Sequence, residues 1–466
     1  MAKVLFAVSD HLYVRNYLQT GALSKIQQEH ELKIVARDHL AETPELTENN
    51  LLLGFYSIER EMEKKHQLLF DLFMWRNRRK SRTFLYRWMR NSGWDMVAAS
   101  SGLTRKIRAI LRWLIGGTRH PVNLLVPLLA SSAVFWFSSR ALLHSLSPNQ
   151  ELQSLVESHK FDLLIFPSSA ADSTSVELTR IGQKQNIPTL CLIDNWDNLS
   201  SKTVFWEKPD HLVVWGKQTQ QQALEIHGFD PSQVHPIGTP RFDAYFAARE
   251  DHEVSTPKTR YILFVGAAMP FDEIAALHSL ERALDEQRGP LADVPVVYRP
   301  HPWQQKRLVP STFHPDSFTR TVLDPQIAQA QASGVELTAR TSRFQPNLDY
   351  YPDLLRGSCL IVGPLTTMLL EGALSLKPVV GLAYPDGVHA NTTRRYFSHF
   401  DGIERIPGFK ICAERTELGR LLSEARVGHD IDEKASDLQS DFFVHRGKAP
   451  YSDRLSAVAN SIVFAG

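Results

Sequence analysis

The sequence contains few cysteines and carries almost no net charge. Its 466 residues include only three cysteines, Cys191, Cys359 and Cys412, which are far apart along the chain. An odd number of scattered cysteines excludes a disulfide framework and a cysteine-based zinc site, and it is typical of a reducing compartment. The 52 basic side chains balance 51 acidic ones and leave a net charge of +1. We therefore expect no nucleic-acid partner, and any electrostatic partner must bind a local patch.

The sequence also lacks internal repeats and low-complexity tracts. Hydrophobic residues make up 43% and charged residues 22% of the chain, which excludes disordered, collagen-like and coiled-coil proteins. The first ten residues, MAKVLFAVSD, hold one lysine and an apolar run too short for a secretory signal. They predict a first strand in a cytoplasmic protein. At roughly 100–200 residues per domain, the length predicts two or three domains.

Apolar runs typical of strands buried on both faces alternate with helical patterns. In the N-terminal half these runs cover 3–9, 32–36, 161–169, 187–194 and 211–216. In the C-terminal half they cover 260–268, 294–302, 359–365 and 377–385, with helical stretches such as 271–288 and 366–376 between them. Strand, helix and strand within about 35 residues predict βαβ units and therefore parallel sheets.

A charged segment with a proline, residues 247–258, is the best candidate for a linker between two groups of βα units. The sequence thus predicts an α/β protein with two Rossmann-like, doubly wound domains that face each other across a cleft. We expect an N-terminal domain over 1–250, with a helical insertion at about 60–150, and a C-terminal domain over 259–435. The last stretch, 436–466, carries a helical pattern expected to pack back on the N-terminal domain.

The insertion contains a strongly basic and aromatic stretch. Residues 76–119 hold twelve Lys or Arg against one acidic residue, Asp95, so that this stretch carries +11 and the rest of the chain −10. Four tryptophans are interleaved with these charges: Trp75, Trp88, Trp94 and Trp113. Residues 121–139 then run without a charge. Cations beside amphipathic aromatics favour a helix that lies on an anionic membrane surface.

Two other interpretations of the insertion stay open. The basic residues of 76–140 are also compatible with a solvated helical face whose tryptophans fill a core, although the membrane surface is favoured. A membrane span at 121–139 is disfavoured because the stretch contains serines, Asn123 and Pro127 and barely reaches the roughly 20 residues required. We expect a peripheral protein at the inner face of the cell membrane.

Two motifs in the C-terminal half predict an anion site. In the motif Tyr298-Arg299-Pro300-His301-Pro302, two prolines stiffen a turn after a strand and hold a guanidinium and an imidazole at its carboxyl end. In Gly363-Pro364-Leu365-Thr366-Thr367, a strand ends and threonines open a helix whose N–H groups favour an anion. Glu371, one turn later, is placed to accept hydrogen bonds from a ribose. The alternatives are a rigid proline-rich loop and plain helix capping.

The N-terminal half carries two polar segments near strand ends. The first runs from Asp194 to Lys202, and its candidate acceptor-binding residues are Asn195, Trp196, Asn198 and Lys202. The second, at 238–243, contributes Arg241. The alternatives are an Asx-rich turn for the first and a structural Arg–Asp pair for the second.

These residues resemble the GT-B glycosyltransferases. The resemblance is to the branch with CDP-glycerol glycerophosphotransferases and, more distantly, UDP-N-acetylglucosamine 2-epimerases. It rests on the runs 194–245, 298–302 and 359–382. It covers most of 155–390 and leaves the basic insertion outside.

The resemblance implies a division of roles between the two domains. The C-terminal domain would bind a nucleotide-activated donor, with Arg299 and His301 near the phosphates, Thr366 and Thr367 capping the diphosphate and Glu371 facing the ribose. The N-terminal domain would bind the acceptor and supply a general base. Four residues in loops after strands are candidates for that base: Asp10, His11, Asp172 and Asp197. A neutral imidazole suits proton abstraction from a hydroxyl near pH 7, but a structural role for His11 is an equal alternative.

The expected reaction is transfer of a sugar or polyol-phosphate group from a nucleotide-activated donor to a lipid-linked or polysaccharide acceptor. No Asp-x-Asp motif follows a predicted strand, so we expect no metal and no cofactor beyond the nucleotide-sugar co-substrate. The alternatives are a nucleotide-sugar 2-epimerase and an inactive GT-B module that docks at the membrane. A basic, tryptophan-rich insertion favours a membrane acceptor over a soluble sugar nucleotide as the only substrate.

Overall fold

The computed structural model divides the chain into two compact units. It describes residues 1–91, 102–116, 126, 128–130, 134–168, 172–250, 260–268, 271–287, 289–301, 313–333, 348–387, 396–425 and 431–464. The first unit comprises Met1–Pro240 and Phe443–Gly466, and the second comprises Arg241–Phe442. The chain therefore leaves the first unit at Pro240 and returns to it at Phe443. Of the expected linker 247–258, residues up to Glu250 belong to a helix and the others lie outside the described residues.

The first unit is built on a seven-stranded sheet. Its strands are β1 Lys3–Val8, β2 Glu31–Arg37, β3 Leu52–Tyr56, β4 Leu163–Ser168, β5 Thr189–Ile193, β6 His211–Val214 and β7 Val234–Pro236. All neighbours pair in parallel, in the order β3-β2-β1-β4-β5-β6-β7. Side chains of β1 alternate between two cores: Val4, Phe6 and Val8 enter one, and Leu5 and Ala7 enter the other. A strand covered on both faces must be apolar throughout, which explains its sequence.

Helices cover this sheet and extend from it. The α-helices of the first unit are His11–Tyr13, Ser24–Glu29, Pro44–Thr47, Arg60–Asn77, Arg82–Asn91, Leu103–Gly116, Phe135–His144, Gln150–His159, Ser173–Gln185, Asn198–Ser201, Lys217–Glu225 and Tyr451–Val463. A π-helical segment, Val14–Gln19, follows the first of them. The last helix buries Tyr451, Leu455 and Ala459 in the core that contains Val4 and Phe6. The C-terminal segment thus completes the first unit.

The second unit is built on a six-stranded parallel sheet. Its strands are β8 Tyr261–Val265, β9 Val296–Arg299, β10 Thr321–Leu323, β11 Ser358–Pro364, β12 Val379–Leu382 and β13 Phe409–Cys412, in the order β10-β9-β8-β11-β12-β13. Its α-helices are Asp243–Glu250, Glu273–Glu286, Pro325–Ala332, Tyr350–Gly357, Thr367–Leu374, Leu418–Glu424 and Glu433–Ser440. Short 3-10 turns occupy 38–40, 231–233, 240–242, 315–317, 398–400, 403–405 and 415–417.

Both sheets reverse their winding direction beside their first strand. In the first unit, β1 to β3 progress to one side and β4 starts on the other side of β1. In the second unit, β8 to β10 progress to one side and β11 starts on the other side of β8. Ligands of open parallel sheets bind at this switch point, outside the carboxyl ends of the strands. The prediction of two Rossmann-like, doubly wound α/β domains is confirmed.

The predicted strands are present, and four further strands were not predicted. These are β3, β7, β10 and β13, and each of them lies at an edge of its sheet. The described elements of the insertion between β3 and β4 are helices joined by turns, as predicted. Within it, Trp75 and Trp88 pack together with ring centroids 4.3 Å apart, whereas Trp94 and the side chain of Trp113 lie outside the described residues. None of the described helices is long and apolar enough to span a bilayer.

Candidate functional site

The switch point of the first unit joins the loops after β1 and β4 through a carboxylate. Asp172 precedes the Ser173–Gln185 helix and accepts a hydrogen bond from the backbone N–H of Thr174 at 2.9 Å, as a helix cap. Its other oxygen accepts one from the Ser9 hydroxyl at 2.8 Å, and the Tyr13 hydroxyl lies 3.5 Å away. Asp172 therefore ties the carboxyl ends of β1 and β4 together.

The other predicted residues of the β1 loop take different positions. Asp10 caps the short helix that follows by accepting a hydrogen bond from the N–H of Leu12 at 2.9 Å. His11 is half-buried, with Nδ1 3.5 Å from the hydroxyl of Thr43 and its ring edge-on to His39 at 6.3 Å. Burial and the nearby charge of Arg37 lower the pKa of His39. The structure thus gives Asp10 a capping role and leaves His11 at the surface of the switch point.

A buried polar pair lies next to the loop after β1. The side-chain amide of Asn16, in the π-helical segment, donates a hydrogen bond to Asp194 at 2.9 Å, and both residues are fully buried. Burial, together with the negative charge of Asp194, raises the pKa of the neighbouring Tyr17 well above its ordinary value. Single π turns are common near functional sites. The pair fixes the π-helical segment against the residue that follows β5.

The loop after β5 is braced internally. Trp196 is completely buried against Phe443, with ring centroids 5.9 Å apart. Buried Asn198 donates to the carbonyl of Ser168 at 3.0 Å. Asp197 forms an ion pair with Lys202 at 2.7 Å. The sequence placed these residues, with Asn195, at an acceptor or catalytic surface; in the structure, Trp196 and Asn198 hold the loop in place, and the predicted acceptor role stays a prediction.

In the second unit, Arg299 at the end of β9 is 2% exposed and lies within an internal network. Its guanidinium donates to the Tyr351 hydroxyl at 2.8 Å and lies 4.0 Å from Asp324, whose carboxylate also accepts a hydrogen bond from Tyr350. Burial disfavours the charged form, but Tyr351 and Asp324 outweigh it, so that the pKa of Arg299 is raised. The remaining guanidinium nitrogen, Nη1, is buried without a hydrogen-bond partner among the described residues.

The end of β8 lies between the two predicted motifs. A Cβ on Gly266 would lie 2.7 Å from the backbone nitrogen of His301, and a Cβ on Gly363 would lie 2.2 Å from the carbonyl oxygen of Val265. Both glycines are therefore required by close backbone approach. His301 and Gly363 thus lie on the two sides of one strand end, at the carboxyl edge of the sheet.

A buried carboxylate holds the end of β8 in place by hydrogen bonds. Glu273 accepts hydrogen bonds from the N–H of Ala267 at 2.9 Å and from the Tyr298 hydroxyl at 2.7 Å. Burial, reinforced by Glu273, raises the pKa of Tyr298 well above its ordinary value. Because both oxygens of Glu273 are occupied, the carboxylate fixes the loop after β8.

The helix after β11 begins without side-chain capping. Thr366 occupies the cap position with an extended backbone, but its side chain makes no capping hydrogen bond to the Thr367–Leu374 helix. Thr366 and Thr367 are half-buried, whereas Gly363 and Pro364 are buried in β11. An N-terminus whose N–H groups are not satisfied by a capping side chain favours an anion.

Glu371 is engaged in contacts within the second unit. It forms an ion pair with Arg241 and accepts a hydrogen bond from Tyr245 at 2.8 Å. The sequence placed Arg241 among the acceptor residues of the N-terminal domain. The structure places it in the second unit, because this pair joins the Asp243–Glu250 segment to the helix after β11. The predicted contact of Glu371 with a ribose stays a prediction.

Several residues of these networks were not singled out from the sequence. They are Ser9, Tyr13, Asn16, Gly266, Glu273, Asp324, Tyr350 and Tyr351. Gly266 directly follows the apolar run of β8, which was an available signal. The tyrosines follow no recognisable pattern. Within the described ranges, no three His, Cys, Asp or Glu side chains are grouped as a metal site.

The chain was compared with known proteins. No family model and no curated protein matches it. Among solved structures, the UDP-GlcNAc 2-epimerase from Neisseria meningitidis, bound to UDP-GlcNAc, has a TM-score of 0.50 at 12% identity and covers 98% of this chain and 99% of its own. MurG from Acinetobacter baumannii has a TM-score of 0.41 at 11% identity and covers 98% and 99%. The wall teichoic acid polymerase TagF has a TM-score of 0.38 at 14% identity and covers 65% and 73%.

At these identities the likeness concerns the fold alone. The epimerase match extends over both units, and both units have the strand order of doubly wound sheets. The chain therefore has the GT-B-type fold that the sequence resemblance implied.

Proposed function

We propose that the protein is a nucleotide-sugar-dependent transferase. It moves a glycosyl or polyol-phosphate group to a hydroxyl of a lipid-linked or surface-polysaccharide acceptor, at the inner face of the membrane and without a metal ion. The observation that carries this proposal is the meeting of the two predicted anion-binding turns at the end of β8, made possible by Gly266 and Gly363.

Donor binding is assigned to the second unit. The N-terminus of the Thr367–Leu374 helix, where the Thr366 side chain makes no capping hydrogen bond, offers backbone N–H groups and the Thr366 hydroxyl to a diphosphate. His301 supplies a second donor from the other side of β8. Arg299 is too buried to lie on the surface, so we assign it to holding the turn through Tyr351 and Asp324. Fixed donors at the leaving phosphate stabilise charge that develops there, at roughly 3–4 kcal/mol per well-placed group.

The general base is assigned to His11 in the first unit. Among the four candidates, Asp10 and Asp172 accept helix-capping hydrogen bonds and Asp197 is ion-paired with Lys202. These contacts occupy carboxylate oxygens of all three residues. His11 is half-buried at the switch point and is the imidazole among the candidates.

The proposed reaction balances as follows. The acceptor oxygen forms a bond to the transferred carbon or phosphorus as its proton passes to His11. The bond from that atom to the leaving phosphate breaks, and the nucleotide departs with the electron pair. In a glycosyl transfer the product is the nucleoside diphosphate; in a polyol-phosphate transfer it is the monophosphate.

Donor binding is tested by calorimetry on the full chain. UDP-GlcNAc is the first ligand to use, because the Neisseria meningitidis enzyme was solved with it, followed by other UDP- and CDP-linked donors. We expect Thr366→Val and His301→Gln each to weaken binding by about tenfold or more, as a lost hydrogen bond to a charged group costs about 1.5–3 kcal/mol. His314→Gln, at an exposed histidine of the same unit, is the matched control and should bind like the wild type.

The reaction itself is tested by mass spectrometry of extracted lipids after incubation with the donor that binds. A mass increase equal to the transferred group supports the proposal, and EDTA should leave it unchanged. Conversion of UDP-GlcNAc to its 2-epimer without transfer would establish the epimerase instead. Absence of binding by every donor would favour an inactive docking module.

A further inference from the structure

The insertion contains a helix that is exposed around its first two turns. In the Leu103–Gly116 helix, residues 103–108 are all exposed, and Leu103 itself is 77% exposed. Leu103, Ile107 and Leu111 recur every four residues, so they form one apolar stripe. Apolar side chains of this size are normally removed from water. The stripe therefore needs an occupant that the described chain does not supply.

Cations line the same helix. Because each residue turns a helix by about 100°, Arg105 projects from the side opposite to the stripe, and Arg108 lies next to its Leu111 edge. Lys106 flanks the stripe. None of these three cations forms an ion pair with a residue that the structure describes. An apolar stripe bordered by uncompensated cations is the arrangement of a helix that lies in the head-group region of a bilayer.

A second exposed patch lies on the Phe135–His144 helix. Trp136 is 60% and Phe137 is 78% exposed, although their neighbour Phe135 is buried with Leu72 and fixes the helix. The Arg76 guanidinium lies 6.0 Å from the Trp136 ring, and exposed Arg140 follows one turn later. Tryptophan and arginine side by side are typical of membrane interfaces. The patch is thus anchored to the core while its outer rings are exposed.

We propose that the apolar stripe (Leu103, Ile107, Leu111) and the aromatic pair (Trp136, Phe137) insert into the surface of an anionic bilayer. Charge complementarity selects this occupant: residues 76–119 carry +11 in a chain whose remainder carries −10. A second copy of the chain would bring two basic surfaces together and is disfavoured. The insertion rests on the membrane location given in the proposed function, but it does not depend on the transfer reaction, so flotation and transfer assays can fail separately.

Flotation of the full chain with vesicles tests this proposal. Vesicles of phosphatidylcholine with one-third phosphatidylglycerol are compared with phosphatidylcholine alone. We expect binding to the anionic vesicles that falls with salt. Leu103→Gln/Ile107→Gln/Leu111→Gln and Trp136→Ser/Phe137→Ser should each reduce partitioning at least tenfold. Arg105→Gln/Arg108→Gln should reduce it roughly fivefold per cation, since each contributes about 1 kcal/mol near such a surface.

Two controls make the result decisive. Leu438→Gln changes an equally exposed leucine of the second unit and should float like the wild type. Unfolding curves and UDP-GlcNAc titrations of all variants should coincide with those of the wild type, because the changed side chains are exposed. Equal flotation of the variants and the wild type would overturn the proposal. So would a wild type that does not bind anionic vesicles but forms dimers that the same variants dissociate.

Discussion

The two topological switch points of the chain carry different chemistry on the same scaffold. At the end of β1, the groups are a carboxylate, hydroxyls and an imidazole: Asp172, Ser9, Tyr13 and His11. At the end of β8, backbone segments approach each other closely because Gly266 and Gly363 have no side chains. The first arrangement suits proton transfer, and the second suits an anion. Equivalent places in two similar sheets thus present different chemical groups.

The carboxylates at the two strand ends show the same contrast. Asp172 is half-buried and bridges two loops at the surface of its sheet end. Glu273 is buried, and its two oxygens are taken up by Ala267 and Tyr298. In the second unit the acidic group lies beside Gly266 at the strand end, where Ala267 and Tyr298 hold both of its oxygens in place.

The strongest test of this contrast is His11→Gln. We expect turnover to fall by about 10²–10⁴-fold, the usual contribution of a general base, with donor binding unchanged. The measurement is the initial rate of lipid modification at saturating donor. His39→Gln, at the histidine whose ring lies edge-on to His11, is the control and should retain most activity.

Asp172→Asn distinguishes the base from its neighbour. Asparagine caps helices as well as aspartate does, so the Ser173–Gln185 helix should keep its stability and turnover should fall much less than with His11→Gln. A larger loss from Asp172→Asn than from His11→Gln would assign the base to Asp172 instead.

A smaller effect concerns the stability of the first unit at acidic pH. Burial lowers the pKa of His227 to about 4, and its Nε2 donates to the carbonyl of Leu199 at 2.7 Å. The folded state favours the neutral imidazole. Its contribution to the free energy of unfolding is therefore complete above pH 6.5 and is lost as the pH falls towards 4. A shift of this size corresponds to about 3 kcal/mol.

Hydrogen exchange of peptides from β5 and β6 between pH 7 and 4 measures this loss, with peptides from β8 and β11 as the internal reference. His227→Gln should flatten the pH dependence of the first unit, because glutamine does not titrate. An unchanged slope in that variant would show that His227 does not cause it.

Central strands were predictable from the sequence, and edge strands were not. β1, β4 and β8 are covered on both faces and therefore read as continuous apolar runs. β7 ends in Pro236, and β13 exposes Lys410. Edge strands are short and less apolar, since they lack a neighbour on one side and are protected by proline and charge.

The positions of the candidate residues at strand ends were predictable from the sequence, but their long-range pairs were not. Strand-end motifs located His11, Asp172, His301 and Thr366 at the two switch points, because parallel strands place their carboxyl ends at one edge. The partners of Arg299, by contrast, come from segments well beyond β9 in the chain. Which distant side chains meet depends on packing, and no local periodicity encodes it.

The smallest of the expected effects tests the close approach at the end of β8. Gly363→Ala places a methyl group against the Val265 carbonyl, and the backbone cannot rotate away as a side chain would. We expect the free energy of unfolding of the second unit to fall by about 1–3 kcal/mol and UDP-GlcNAc binding to weaken. Gly419→Ala adds its methyl to open space in the Leu418–Glu424 helix, so it should leave stability unchanged or raise it by up to about 1 kcal/mol. Urea unfolding measures both variants. If Gly363→Ala and Gly419→Ala have the same free energy of unfolding, β8 and β11 do not approach as closely as the anion site requires. The contrast between the two switch points would then no longer hold for the second unit.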